Sequence, residues 1–394
     1  MTPHKNAGLP VTWDQVASFR LSRHYLAQRA PAYDLISTVY DIAGAQAQLF
    51  SAAQISLWAR VQDLRITHIE KALEERSLVK AACMRRTLFL VPAGHLAVFV
   101  RGSARRAEKG IRWTLGKGVS EHTLEAAIEA ALSVLNEPLT RPEIAERVSR
   151  ALGVEMQTVH GGGWGRRSKV AAVPVADIIF PIVDLLHLAA ARGVVCYGFK
   201  RGNEPTFVRA DAWIPHWQDV SQEQAEDSLL DIYLKAYGPA TAADFALWVG
   251  MTLKEARAVW ARKQAGLASV NVEGWEAEIL QEDLDELTQS RLEQPLVRLL
   301  PYFDTFLLGH KDRDHLVALE HRSDVYRAQG WIAPVVLADG RVVAVWKHTS
   351  EGNRLCVMVT KFGSLSPCII EAINDEARDL GRFLGNLAAD IQIV

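Results

Sequence analysis

Gln46 and Gln48 stand two residues apart in the run AGAQAQLF, Ala43–Phe50. A glutamine amide carries one carbonyl acceptor and two N–H donors, and it is not a useful titratable base. In a regular helix, residues i and i+2 point in well-separated directions. In an extended stretch they share a side, with the residue between them opposite. Joint action therefore requires a helix break near Gly44 and an Ala47 that faces the core. The alternative is a continuous helix, with one glutamine solvated and the other capping a neighbour. Other catalytic signals are missing: the chain has no HExxH, no GxxxxGK[ST] and no GxSxG. Its twelve histidines do not cluster at metal-ligand spacing. His310 and His315 lie near Asp312 and Asp314 without a third-ligand pattern, so metal binding is not expected. The loop GGGWGRRSK, Gly161–Lys169, could cradle phosphate through its amides and three cations. It lacks the strand-before, helix-after context of a nucleotide fingerprint. A basic loop on a DNA backbone and a plain solvated loop both remain open.

The elements that must position these residues repeat one plan. Val11–Arg29, the stretch from Asp34 toward Gly44, and Leu57–Leu73 read as helices. Leu78–Met84 and Thr87–Val91 read as short strands around Arg85 and Arg86. Three helices and a basic-tipped hairpin is the winged-helix order. Thr140 and Glu143 form a capping box with Pro142 in the first turn. Ile144, Ala145, Val148 and Leu152 then share a helical face. A further helix is expected after Pro174, and a hairpin across Lys200–Asn203. Next, Leu229, Ile232, Tyr233, Ala236 and Tyr237 line a helix ended by Gly238-Pro239. Capping boxes at Thr241/Asp244 and Thr252/Glu255 flank Gly250, a helix-turn-helix signature. Beyond Leu296 the pattern turns to strands, with Asp339-Gly340 as a hairpin turn and Glu371–Ala389 as a closing helix. The fold class expected is α+β, mainly α: winged-helix units over 1–118, 119–220 and 221–296, and a β-rich or barrel domain with a terminal helix over 297–394. Trp13, Trp58, Trp248 and Trp346 are expected in cores.

The 394 residues are 49% hydrophobic, an ordinary globular composition, with a net charge of −2. The distribution is uneven. Residues 1–120 hold 17 Lys and Arg against 8 Asp and Glu, whereas residues 221–300 hold 7 against 14. That asymmetry points to one polyanion-facing region, or to chance excess on a solvated surface. The four cysteines form no CxxC pair, which argues against a zinc ribbon or a disulfide framework. No run approaches the roughly 20 apolar residues of a membrane helix, and no secretion signal is visible. A cytoplasmic, nucleoid-associated protein of bacterial type is expected, with no membrane and no obligatory protein partner.

Taken with the surrounding runs, the Gln46-Ala47-Gln48 tripeptide resembles the motif of the AlkZ-like family of winged-helix DNA glycosylases, which reads Gln–apolar–Gln. RRTLFLV, Arg85–Val91, looks like the family's Arg–Thr wing, and YGPATAADFALWVG, Tyr237–Gly250, like its third helix-turn-helix. LPYFDTFLLG, Leu300–Gly309, with Asp312-Arg313 resembles the C-terminal signature, as do Ile332–Pro334, Asp339–Arg341 and Trp346-Lys347. Two positions depart from the pattern: Ala47 is small for the apolar position, and Phe89 stands where many relatives carry histidine. The resemblance implies a monofunctional glycosylase that hydrolyses the N-glycosidic bond of cationic N7- or N3-alkylpurines, bulky or crosslinked adducts included. No metal or organic cofactor is implied. Gln46 and Gln48 would position water and oppose the positive charge of an oxocarbenium-like sugar. The partner would be double-stranded DNA containing alkylated bases. Arg60, Arg85, Arg86, Thr87, Arg166, Arg167, Lys169, Lys200 and Arg201 are the DNA-contact candidates. The competing reading is a non-enzymatic winged-helix DNA-binding protein or transcription regulator.

Counterion release supplies the first test. Replacing Arg85 and Arg86 by alanine should flatten the dependence of duplex affinity on salt, by roughly one logarithmic unit of slope per lost phosphate contact. Titration of a labelled duplex across a salt series reads that slope directly; an unchanged slope removes the pair from the interface.

Overall fold

The computed structural model describes residues 8–115, 119–163, 166–175, 178–202, 204–292, 295–385 and 387–394. Two compact units divide the chain, one formed by residues 1–72 with 227–394 and the other by 73–226.

In the larger unit, Leu9–Val11 pairs in parallel with the strand Leu267–Val272, which also pairs antiparallel with Trp275–Leu280. The helix Trp13–Arg23 starts from a capping box: the Thr12 hydroxyl accepts the Gln15 amide, and the Gln15 carboxamide oxygen accepts the Thr12 amide. It packs Val16 and Phe19 on Val270, Ile279 and Leu287. It stops at Arg23, short of the expected Arg29, and Tyr25 takes a φ of 55° just beyond. The run read as one helix from Leu57 to Leu73 is two, Phe50–Trp58 and Ile66–Glu74. Between them Val61 bridges to Ala30 and Asp63 adopts a φ of 53°. A tertiary backbone bridge therefore replaces the helical ladder, which local propensity could not foretell.

The helix-turn-helix pattern appears where expected. Thr241/Asp244 and Thr252/Glu255 cap Ala242–Val249 and Leu253–Lys263, and Gly250 turns at φ 91° between them. Tyr233, Tyr237, Phe245 and Trp248 pack ring against ring and are buried. Tyr233 Oη donates to the Gly309 carbonyl at 2.8 Å and Tyr237 Oη to that of Thr305 at 3.0 Å. A Cβ at Gly309 would lie 2.2 Å from the Tyr237 ring, so this close approach demands glycine.

The C-terminal β-rich region is an open sheet; the barrel expected as one form of it is not seen. Val297–Leu300, Val335–Ala338, Arg341–Glu351, Arg354–Lys361 and Ala388–Ile393 follow one another in that order. The last strand was missed in the sequence. It runs parallel to Arg354–Lys361 because the helix Pro367–Phe383 is interposed as a crossover. That helix packs on both Val297–Leu300 and Ala388–Ile393, burying Ile373, Ala377 and Leu380. It occupies the space that strand closure would need.

Four arginines of residues 8–72 reach across the sequence within this unit. Arg20 donates to the carbonyls of Gly238 and Pro239. Arg23 pairs with Asp283 and Glu286, and Arg29 with Glu376 and Asp379. Arg60 forms a two-pronged bridge to Asp304, with Nη1–Oδ2 at 2.9 Å and Nη2–Oδ1 at 2.7 Å. Both side chains of that bridge are 0% exposed. This corrects the expectation that Arg60 contacts phosphate. Part of the N-terminal positive excess is likewise satisfied inside the fold by the acidic C-terminal half.

In the smaller unit, Glu121–Ser133, Arg141–Leu152 and Ile182–Ala191 surround a core of Leu124, Ile144, Phe180, Leu185 and Phe207. Thr140 and Glu143 close the capping box as read. Leu152 departs from its expected face and is exposed at the helix end, beside a left-handed Gly153. The helix expected after Pro174 is Ile182–Ala191. Gln157–Gly163, Arg166–Val175 and Ile178–Pro181 form an antiparallel sheet, consistent with the β-branched run and with proline's exclusion from helix interiors. Two hairpins complete the unit, Leu78–Ala82 with Leu88–Pro92 and Val195–Tyr197 with Phe207–Arg209.

The Arg60–Asp304 bridge generates a stability prediction. Asp304→Ala should cost about 3–5 kcal/mol, because a guanidinium would remain buried without its counter-charge. Urea unfolding of both proteins reads the difference; a loss below about 1 kcal/mol would show that water reaches Arg60.

Candidate active site

The helix Leu35–Asp41 stops before the glutamines by a Schellman closure. Gly44 N–H donates to the Val39 carbonyl at 2.8 Å and Ala43 N–H to that of Tyr40 at 2.9 Å. Ala43 and Gly44 take φ values of 59° and 86°. The first is uncommon for a residue with a Cβ. Tyr25 Oη donates to Asp41 at 2.5 Å and braces the last turn. Burial, then that carboxylate, pushes the Tyr25 hydroxyl well above the usual phenol range.

The chain next runs extended through Ala45–Gln46 and bends at Gln48 before the helix Phe50–Trp58. Ala47 is 0% exposed, Gln46 is 7% exposed, and Gln48 is exposed. Ala47 is thus core-facing, between a buried Gln46 and an exposed Gln48. The continuous-helix alternative is excluded. The Phe50–Trp58 helix begins at Leu49 with no side-chain cap, so the positive end of its dipole lies two residues from Gln48. Its C-terminal turn is held by Ser56, whose hydroxyl donates to Asp304 at 2.7 Å, and by Arg60, which also donates to the Ser56 carbonyl at 2.8 Å. The site can therefore orient a small polar molecule and present amide dipoles, but neither amide can act as a titrating acid.

The remaining candidates belong to the smaller unit. Arg85 and Arg86 form the tip of the hairpin Leu78–Ala82/Leu88–Pro92, at φ 55° and 63°. Consecutive left-handed side-chain-bearing residues are strained, and such strain concentrates at functional loops. Arg86 is exposed and Arg85 half-buried. Thr87 turns inward: its amide and its hydroxyl both donate to the Met84 carbonyl at 3.1 Å. Both donors lock the turn, and the side chain is half-buried. Phe89 is fully buried. Lys169 and Lys200 are exposed. Arg201 is exposed but pairs with Glu143 and donates to the Pro138 carbonyl at 2.9 Å. The Thr140 hydrogen bonds, with Arg201 beside them, hold the Glu143 carboxyl below its usual range. The side chains of Arg166 and Arg167 lie outside the described residues. Behind the Arg86 tip, burial raises the Asp184 carboxyl against the nearby Arg86 charge, and lowers His187 to about 4.

Sequence reasoning missed the brace and the anchor of the motif. Asp304 stood within a quoted run, yet nothing in the linear chain pairs it with Arg60, 244 positions away. Among the described residues, no group of three or more metal-ligating side chains is found, and no helix is long and apolar enough to cross a membrane.

Comparison with known proteins agrees across the chain. The profile of the family described as DNA glycosylase AlkZ-like matches residues 39–383. A protein of Streptomyces sahachiroi named interstrand DNA cross-link repair glycosylase is 31% identical over 98% of this chain and 100% of its own length. The solved structure of Streptomyces sahachiroi DNA glycosylase AlkZ superposes with a TM-score of 0.80 at 28% identity, covering 98% of this chain and 100% of that one.

The strained helix end permits a paired test. Gly44→Ala should cost about 1–2 kcal/mol by forcing a Cβ into the left-handed region. Ala43→Gly should change stability by less than about 1 kcal/mol, since relief of strain is offset by a freer unfolded chain. Chemical denaturation of the two variants distinguishes this closure from an ordinary frayed end.

Proposed function

The chain belongs to the DNA glycosylase AlkZ-like family, and we propose that it hydrolyses the N-glycosidic bond of cationic N7- or N3-alkylpurines in double-stranded DNA, crosslinked and bulky adducts included. The observation that carries the reading is the pair Gln46 and Gln48 astride a fully buried Ala47 in the break between two helices. The printed name of the Streptomyces sahachiroi relative, an interstrand cross-link repair glycosylase, supports the substrate class.

Alkylation at N7 or N3 puts a positive charge on the purine and makes it a good leaving group. Protonation of the base is then unnecessary, which suits a site whose central side chains cannot titrate. As the C1′–N bond lengthens, positive charge gathers on the sugar. The carbonyl dipoles of Gln46 and Gln48 oppose that charge, and the amides hold the water that attacks C1′. The hydrolysis needs neither metal nor organic cofactor. Arg85, Arg86, Arg166, Arg167, Lys169, Lys200 and Arg201 supply phosphate contacts, which position DNA without reading sequence. The helix-then-hairpin segments within 1–118, 119–220 and 221–296 serve as winged-helix units, with 297–394 as the β-rich region. The protein then works on DNA in a bacterial cytoplasm.

Incubation with an N7-methylguanine duplex, followed by alkaline cleavage of abasic product, tests the activity. Gln46→Ala and Gln48→Ala should each slow base release by about 10²–10³-fold, on the scale of losing one preorganised polar group. Duplex affinity should stay nearly unchanged, because these contacts act in the transition state. Uracil, a neutral base that needs protonation, should not be released. Full excision by the double mutant would overturn the assignment.

A further inference from the structure

The five-stranded sheet of the larger unit ends in two edges, Val297–Leu300 and Ala388–Ile393. The first is closed by side chains. Asp339 N–H donates to the Leu296 carbonyl at 2.9 Å, so by alternation the backbone groups of Val297 and Leu299 turn away from the sheet. Arg298 Nη1 donates to the Val297 carbonyl at 2.8 Å, and the Leu299 N–H donates to Glu376 at 3.4 Å. The other Arg298 nitrogen reaches the Ala27 carbonyl at 3.4 Å, which holds the guanidinium along that edge.

The second edge is bare. Val394 N–H donates to the Val359 carbonyl at 2.9 Å, and its own carbonyl accepts the Lys361 N–H at 3.0 Å. Ala388 N–H donates to the Asn353 carbonyl at 3.2 Å. In a parallel ladder every second residue gives both backbone groups to the same neighbour. Ala388, Asp390, Gln392 and Val394 therefore serve Arg354–Lys361, in register with it. Ala389, Ile391 and Ile393 point their N–H and C=O groups outward, and among the described residues no partner takes them. The usual guards are also missing: the strand has no proline and no lysine, and Asp390 is its one charge.

We propose that this edge pairs antiparallel with the same edge of a second copy of the chain, continuing one sheet into the other across a two-fold axis.

The residues of the strand are complementary to themselves in one register. With Ile391 opposite the partner's Ile391, Ala389 meets the partner's Ile393. All of these are outward-bonding positions, so the three pairs exchange roughly six backbone hydrogen bonds. Asp390 then stands opposite the partner's Gln392, and Gln392 opposite the partner's Asp390. Each carboxylate faces an amide that can donate to it, and no like charges meet. Both residues are exposed, so neither is committed to the core.

The other face gains cover. A Cβ at Gly381 would lie 3.8 Å from the Ala389 Cβ, so Ala389, and with it Ile391 and Ile393, faces the helix Pro367–Phe383. Ile391 and Ile393 are left half-buried at the rim of that packing. A two-fold axis normal to the sheet puts both helices on one side and brings the isoleucines of the two copies together. The assembly also closes. Pairing consumes both bare edges, and the Val297–Leu300 edges stay blocked by Arg298 and Glu376, so growth stops at two. One strand a side is a small interface, and a weak, concentration-dependent dimer follows. The pairing is independent of the reaction proposed for Gln46 and Gln48.

Sedimentation of the full chain over a dilution series tests this. A reversible species of twice the 43.6 kDa chain mass is expected. Ile391→Pro should leave a monomer: the Ile391 N–H is not used within the sheet, so proline removes only the donor at the two-fold axis. Circular dichroism checks that this variant folds. Should it not, charge pairing decides. Gln392→Glu should raise the dimer dissociation constant about tenfold, since carboxylates then face each other twice across the axis. Adding Asp390→Lys to Gln392→Glu should restore the dimer. A monomer at every concentration, assembly beyond two copies, or a dimer indifferent to both Ile391→Pro and Gln392→Glu overturns the proposal. Failure of Asp390→Lys to rescue Gln392→Glu overturns it as well.

Discussion

Arg60 and Asp304 face each other with neither side chain reaching solvent, joined by two parallel hydrogen bonds. Removing two such charges from water costs several kcal/mol each, and only good geometry with further hydrogen bonds offsets it. Ser56 supplies those bonds: its carbonyl accepts from Arg60 and its hydroxyl donates to Asp304. The bridge ties the helix that follows Gln48 to the segment that precedes His310. The larger unit is made of two distant stretches of chain, and this pair joins them.

The same constraint organises the charge. Arg20, Arg23 and Arg29 also end on carbonyls or carboxylates contributed by residues 238–379. An N-terminal basic excess and a later acidic excess read, in sequence, as one surface for polyanions. In the fold, part of each is the other's counter-charge. Arg86, Lys169 and Lys200 by contrast remain exposed.

Amides in place of carboxylates suit the leaving group of the proposed reaction. A carboxylate would add a full negative charge and a proton to manage. In the proposed reaction two glutamines would add dipoles only, which fits a base that departs readily without help. Their placement depends on backbone conformations that disfavour a side chain, at Ala43 and Gly44. The closure at that helix end is what turns a tripeptide into a pair of flanking groups.

Much of the local structure was legible in the residues themselves. Capping boxes at Thr140, Thr241 and Thr252, the glycine turn at Gly250, and the hairpins after them depend on neighbours three or four positions apart. The demand that Ala47 face the core was also legible, since an extended backbone alternates sides. Other features depended on partners far along the chain. Whether Arg60 met a phosphate or a buried aspartate was decided by a residue 244 positions away. The Val61–Ala30 bridge split an apparent helix, the Pro367–Phe383 helix turned a possible barrel into an open sheet, and Trp13 became a cavity wall. Sequence spacing determines which hydrogen bonds a segment can make with itself. Tertiary contact decides which buried polar groups and ring faces find a partner, because desolvation is settled only when distant surfaces meet.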